Sequence, residues 1–154
     1  DMSSTTTSQT EAVATKRGGF VKLSGIIIAI IGAIMFVGGA STWVLIQNQL
    51  SAENIVVAED ASSFAGSKVN GPFTAYAQAE IINKHALEAS GGKTYAELDR
   101  EDPVRAVVMN GSFLRASLFT SVLAFGVSAM AMGLGLVQVL GGVALHKLGR
   151  HADL

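Results

Sequence analysis

The 154-residue sequence contains no cysteine, so disulfides and thiolate metal sites are excluded. It also has little charge. Charged residues make up 15% of the chain, against about 25% in an ordinary globular protein, while hydrophobic residues make up 49%. This composition is atypical of a soluble domain, so the segments that lack charged residues need an explanation.

Two long segments contain no Asp, Glu, Lys or Arg: Leu23–Ile46 and Ala116–Leu145. About 20 helical residues cover the roughly 30 Å hydrocarbon core of a bilayer, and both segments are longer than that. In lipid they must be helical, because a helix satisfies its own backbone polar groups. The first segment is too long for the 7–15 apolar residues typical of a signal peptide, and a polar stretch precedes it, which favours an uncleaved anchor.

The charges that flank these segments predict their orientation. Basic residues precede the first segment (Lys16, Arg17, Lys22) and follow the second (Lys147, Arg150), whereas the intervening loop carries nine carboxylates. Basic residues in short flanks favour the cytoplasmic side. We therefore expect a multi-pass protein of the plasma membrane with both termini cytoplasmic and the loop outside.

These observations predict an all-α membrane protein, a two-helix transmembrane hairpin with a mostly helical extracytoplasmic loop of about 70 residues. The predicted boundaries run in chain order. They are a disordered cytoplasmic tail over 1–19, transmembrane helix 1 over 20–46, the loop domain over 47–115, transmembrane helix 2 over 116–145 and a cytoplasmic tail over 146–154.

The loop has its own helix signals. Pro72 suits the first position of a helix, the alanine-rich stretch to Ala89 favours helix, and Gly91-Gly92 supplies a stop. A second helix is expected to start at Asp102-Pro103, where a capping residue precedes proline.

The first loop helix is only partly amphipathic, so we expect it to lie on the membrane surface or against a partner. Its apolar and aromatic face gives four candidate docking residues, Phe73, Tyr76, Ile81 and His85.

Small residues recur at steps of three and four in both apolar segments. Such residues let helices approach closely in lipid, and a 3.5-residue period suits a left-handed crossing. Glycine and alanine are also common in membrane helices without any packing role. Other small residues, including Ala33 and Gly133, lie on other faces and indicate further helices, from an oligomer or a larger complex. The candidate packing residues are Gly25, Gly32, Gly39, Ser121, Ser128, Gly135 and Gln138.

No set of residues predicts catalysis. A mononuclear iron or zinc site needs about three ligands within a few ångströms. His85 lies in the loop while His146 and His151 lie beyond the second segment, so a bilayer would separate them. We accordingly expect no catalytic residues, no metal and no cofactor, and the basic residues are too few for nucleic acid.

Three stretches carry a family resemblance: GPFTAYAQAEIINKHALE (71–88), GKTYAEL (92–98) and SFLRASLFT (112–120). With them, the chain resembles a family of small two-span actinobacterial membrane proteins, many labelled "aromatic ring-opening dioxygenase". The resemblance implies the architecture and an actinobacterial setting. The label itself does not suit the residues, since extradiol dioxygenases hold iron with two histidines and a carboxylate, and the loop has one histidine.

Three functional classes follow. The leading hypothesis is a non-catalytic accessory subunit of a larger respiratory or cell-envelope assembly, whose partners are larger integral membrane proteins or further copies of the chain. The alternative is a self-assembling, lipid-binding envelope protein. The third class, an enzyme, would need a reactive cluster that the sequence does not offer.

Overall fold

The computed structural model describes the backbone of residues 2–151 and the side chains of residues 18–151. Three α-helices follow in order: α1 (Met2–Ala52), α2 (Pro72–Ala89) and α3 (Val104–His151). A single 3-10 turn, Tyr95–Glu97, precedes α3. Between residues 2 and 151 no β-strand forms, and the one antiparallel bridge pairs Val56 with Lys68.

The predicted segment boundaries differ from the helix ends at the N-terminus. Backbone helix begins at Met2, whereas we predict disorder over 1–19. No proline or glycine precedes Gly18 to interrupt a helix there. Residue 1, the side chains of 2–17 and residues 152–154 lie outside the described part, so the prediction for the two tails stays a prediction.

Two stretches are long and apolar enough to cross a membrane, Gly18–Ala52 and Val104–His151. At 1.5 Å per residue the shorter one extends about 50 Å, well beyond a hydrocarbon core of roughly 30 Å. In the most apolar window of Gly18–Ala52 only 11% of the residues are buried, and in that of Val104–His151 only 17% are buried. A core helix of a soluble protein would be mostly buried, so the apolar surface of these helices faces outward.

The chain divides into two compact units, residues 1–40 with 129–154 and residues 41–128. In the first, here called the glycine unit, α1 and α3 pack antiparallel through glycines. A Cβ added to Gly25 would lie 2.5 Å from the Gly142 carbonyl oxygen, and one on Gly32 would lie 2.6 Å from that of Gly135. Real Cβ atoms do not approach so closely, so the backbones touch because these positions have no side chain.

The second unit, here called the loop unit, has a core of larger side chains. Phe125 of α3 is 1% exposed and packs edge-to-face on Trp43 of α1, with ring centroids 4.7 Å apart. The other buried members come from all parts of the unit: Leu50, Val57, Val69, Ala75, Ala77, Ala79 and Leu118.

The segment between α1 and α2, residues 53–71, folds back on itself and is here called the folded-back segment. The Val57 amide donates to the Ser67 carbonyl and the Val69 amide donates to the Ile55 carbonyl, each at 2.9 Å. Val57 and Val69 are thereby buried. The Ala58 amide donates to Gln78 Oε1 at 3.0 Å, which fastens the segment to α2.

The two predicted helix starts in the loop match the structure. α2 begins at Pro72 and ends at Ala89. α3 begins at Val104, whose amide donates to Asp102 Oδ1 at 2.9 Å. The loop is not helical throughout, however, because residues 53–71 form turns and the folded-back segment rather than a helix.

Candidate functional site

Helix α2 packs within its own chain on two sides. On one side it approaches α3 at Gly111, where an added Cβ would lie 3.3 Å from Ala86 Cβ and 3.7 Å from Ile82 Cγ2. On another side the folded-back segment covers it, so that Ala77 and Ile81 are both buried. Part of the apolar surface of α2 is therefore used within the chain, and the expectation that this helix lies on the membrane surface or against a partner stays a prediction for the remainder.

The four predicted docking residues separate into different environments. Phe73 is 74% exposed and Tyr76 is 47% exposed, so both are available to a partner. Ile81 is 5% exposed, so its assignment to docking is wrong; Asp60 and Ala61 line the same cavity beside it. The sequence pattern placed it on the apolar face correctly but could not show that the chain itself covers that part of the face.

His85 is exposed but already has a partner. Its Nε2 lies 2.8 Å from Asp60 Oδ2, and Lys84 Nζ lies 3.6 Å from the same oxygen. The hydrogen bond with His85 is the main cause that holds the pKa of Asp60 below its ordinary value. His85 thus attaches α2 to the folded-back segment, a role that the sequence could not indicate because the two residues are distant in the chain.

A groove of about 510 Å³ lies between α2 and the N-terminal part of α3. At the end of the groove next to the charge-free stretch of α3, Tyr76 and Phe119 pack edge-to-face with ring centroids 5.8 Å apart. The lining combines aromatic, aliphatic and charged side chains, namely Tyr76, Glu80, Asn83, Lys84, Leu87, Glu88, Arg115 and Phe119.

Most charged side chains that line the groove contact another residue of the same chain. The Tyr76 hydroxyl is hydrogen-bonded to the Glu80 carboxylate, which raises the pKa of the phenol. Lys84 Nζ lies 3.9 Å from Glu88 Oε1, in addition to its contact with Asp60. These exposed contacts contribute little stability, and Glu80 keeps its negative charge because a neutral phenol does not compensate it.

Arg115 is the exception. Its guanidinium lies over the Phe119 ring, with Cζ 5.8 Å from the centroid, a cation–π contact. Its Nε is buried and has no hydrogen-bond partner among the described residues. Within the same residues no carboxylate lies within 4 Å of it. The groove therefore contains a cation whose donor capacity the chain does not use.

The predicted packing residues lie in both units. In the glycine unit Gly25, Gly32, Gly39 and Gly135 are buried, and Gly142 and Gly149 extend the same seven-residue spacing on α3. Gln138 packs beside Gly32, but its buried Oε1 has no hydrogen-bond partner among the described residues.

The two predicted serines belong to the loop unit and bond to their own helix. Ser128 is 2% exposed and its hydroxyl donates to the Ala124 carbonyl at 2.8 Å. The Ser121 hydroxyl donates to the Ser117 carbonyl at 3.3 Å. Both bonds are the local i−4 type, so they satisfy the hydroxyl without linking two helices.

A second small-residue face of α3 is open. At 100° per residue, Gly133 and Val137 lie on the side of α3 opposite Gly135 and Gly142. A Cβ added to Gly133 or Gly141 would meet nothing within 4 Å, and Val137 is 67% exposed. This face is bare in the single chain.

The described residues contain no group of three or more His, Cys, Asp or Glu side chains placed to hold a metal ion. Comparison with protein-family models, with curated proteins and with solved structures finds no match. The family resemblance of the loop motifs therefore stays an expectation.

Sequence reasoning missed the groove. Arg115 is not among the predicted site residues, because the groove that it lines forms only where α2 lies along α3. One signal was available: Arg115 and Phe119 are four residues apart, and residues at that spacing share a helix face.

Proposed function

We propose that this chain is a non-catalytic accessory subunit of a larger membrane assembly. Its two long helices form a transmembrane hairpin in the plasma membrane, with both termini cytoplasmic and the loop region outside. The setting we propose is a respiratory or cell-envelope assembly, and the resemblance of the loop motifs suggests an actinobacterial membrane.

The exposure of the long helices supports a membrane location. Exposed isoleucines follow one another along α1, and exposed leucines and valines do the same along α3. Apolar surface of this extent is unfavourable in water at about 25 cal/mol per Å² and is accommodated by lipid. The basic flanks of the sequence support the cytoplasmic placement of both tails.

The observation that carries the accessory role is the bare face of α3 at Gly133 and Gly141. Glycines on a membrane helix permit close approach by another helix, as the paired glycines of α1 and α3 illustrate within the chain. In the loop region, the exposed rings of Phe73 and Tyr76 offer a second contact for the same partner.

The alternative, a self-assembling lipid-binding protein, is favoured by a different observation, the groove with its unpaired Arg115. In that case the bare face of α3 would contact a second copy of the chain, and lipid would be the only other component.

The test is a pull-down in mild detergent on a C-terminal tag, with mass spectrometry of the retained proteins. The accessory role predicts a fixed set of larger membrane proteins. Gly133→Leu should lose them, because the new side chain occupies the face that a partner helix would approach. Gly19→Leu is the matched control, since it adds the same bulk where nothing lies within 4 Å and away from this face.

Recovery of the chain alone, or of the same partners with Gly133→Leu as with Gly19→Leu, would contradict the proposal. Recovery as an oligomer of one chain that carries lipid would establish the alternative.

A further inference from the structure

We propose that the groove between α2 and α3 is a binding site for a membrane glycerophospholipid, with Arg115 as the donor to its phosphodiester. The inference depends on the membrane-spanning part of the proposed function, because it needs the start of α3's charge-free stretch to lie in lipid. It does not depend on the accessory role.

The position of Arg115 in the sequence sets the depth of the site. It is the last charged residue of α3 before the charge-free stretch Ala116–Leu145. Thirty such residues at 1.5 Å each approach the 40–45 Å of a whole bilayer with its headgroups. A guanidinium at the end of that stretch lies at the level where lipid phosphates are found.

The chemistry of Arg115 selects an anion with several oxygens. A guanidinium presents five N–H donors in a planar fork that matches phosphate oxygens, and a buried donor without a partner is unfavourable. The chain provides neither a carboxylate within 4 Å of Arg115 nor an acceptor for its Nε among the described residues. Because Nε itself is buried, a phosphodiester in the groove would accept from the terminal Nη groups of the fork.

The order of residues along the groove matches the parts of a phospholipid. The pairs Tyr76–Phe119 and Ala86–Gly111 show that α2 runs antiparallel to α3. The aromatic rings therefore line the end that adjoins the charge-free stretch, where glycerol and the first acyl carbons would lie. Glu80 comes next on α2, near the level of Arg115, so the guanidinium must hold the phosphodiester against this carboxylate. Beyond Arg115, toward the other end, Lys84 and Glu88 border the groove and would face the polar headgroup substituent.

The groove is large enough for this ligand fragment. Its volume of about 510 Å³ falls within the 300–1,000 Å³ usual for small-molecule sites. Free inorganic phosphate would use Arg115 but would leave the aromatic end empty, so we assign the site to a lipid and use phosphate as a competitor in the test.

The test measures binding to the purified full-length chain in a phosphate-free, non-phospholipid detergent. The probes are short-chain phosphatidylglycerol, the matching diacylglycerol without phosphate, and inorganic phosphate, and the readout is a saturable rise in melting temperature. We expect phosphatidylglycerol alone to bind tightly. Arg115→Gln should weaken it at least tenfold, the size expected for one charge-assisted hydrogen bond.

Arg105→Gln is the matched control. Arg105 is on the same helix, but its Nη1 donates to the Leu98 carbonyl at 2.6 Å and its guanidinium lies over Tyr95, so it does not line the groove. This variant should bind phosphatidylglycerol like the unmodified chain.

Equal affinity in Arg115→Gln and Arg105→Gln would overturn the site. Diacylglycerol binding as strongly as phosphatidylglycerol would do the same, as would full competition by inorganic phosphate at comparable concentration. If Arg115→Gln fails to fold, the discrimination among the three probes by the unmodified chain decides alone. Partner recovery in the pull-down is a separate result, so failure of the accessory role and failure of this site are distinguishable.

Discussion

Helices α1 and α3 contact each other through backbone in the glycine unit and through large side chains in the loop unit. In the glycine unit Gly25 and Gly32 meet Gly142 and Gly135 so closely that no Cβ would fit. In the loop unit Trp43 meets Phe125. Where only two helices are present there is little volume to fill, and close approach gives the most contact. Where α2 and the folded-back segment join them, larger side chains are needed to fill the space.

Removing the central ring of the loop unit should destabilise it most. Phe125→Ala deletes a side chain that is 1% exposed, and such truncations cost about 3–5 kcal/mol. Phe113→Ala, on the same helix but 66% exposed, should change stability by less than about 0.5 kcal/mol. Denaturant unfolding in detergent followed by circular dichroism compares them, and equal losses would refute the assignment of Phe125 to a packed core.

The glycine unit should respond to added rather than removed volume. Gly135→Leu places a side chain where a Cβ would already lie 2.5 Å from the Gly32 carbonyl oxygen, and overpacking of this kind costs about 1–3 kcal/mol. Gly133→Leu gains the same helix propensity but meets open space, so the isolated chain should tolerate it. The measurement is thermal unfolding of both variants, and a Gly135→Leu chain as stable as Gly133→Leu would show that the seam is not closely packed.

The smallest change is expected from the link between α2 and the folded-back segment. Hydrogen bonding from His85 lowers the folded-state pKa of Asp60 from its ordinary 3.8. A carboxyl whose pKa is depressed by folding stabilises the fold above its unfolded value and loses that contribution as pH falls through the folded value. Below pH 3.8 the melting temperature of the unmodified chain should therefore fall more than that of the Asp60→Asn variant.

The absence of this pH effect would have one interpretation. Parallel curves for the two chains across acidic pH would mean that the contact of 2.8 Å between His85 and Asp60 adds nothing measurable in solution. Exposed pairs often behave this way.

The glycine positions could be predicted from sequence because helix periodicity alone assigns them to one face. Gly25, Gly32 and Gly135 were selected on spacing, and the structure places all three in the closest backbone contacts. Ile81 was misassigned because periodicity identifies an apolar face without saying what covers it. Beside Ile81 lie Asp60 and Ala61 of the folded-back segment, which is linked to α2 by the hydrogen bond from the Ala58 amide to Gln78 Oε1.

The groove was unpredictable for the same reason. The groove forms only when α2 lies along α3. The two helices approach closely at Gly111, and this contact joins residues that are distant in the sequence. Local pattern gives the helices and their small-residue faces, whereas the site between them follows from tertiary packing.

The most direct test of the membrane hairpin uses the absence of cysteine, because each introduced thiol then reports only its own position. Single variants Ser8→Cys, Ser62→Cys and Ala152→Cys are expressed, and intact cells are treated with a membrane-impermeant maleimide. A hairpin with both tails cytoplasmic predicts labelling of Ser62→Cys alone, with the other two labelled only after permeabilisation. Labelling of either tail in intact cells, or protection of Ser62→Cys, would contradict the topology.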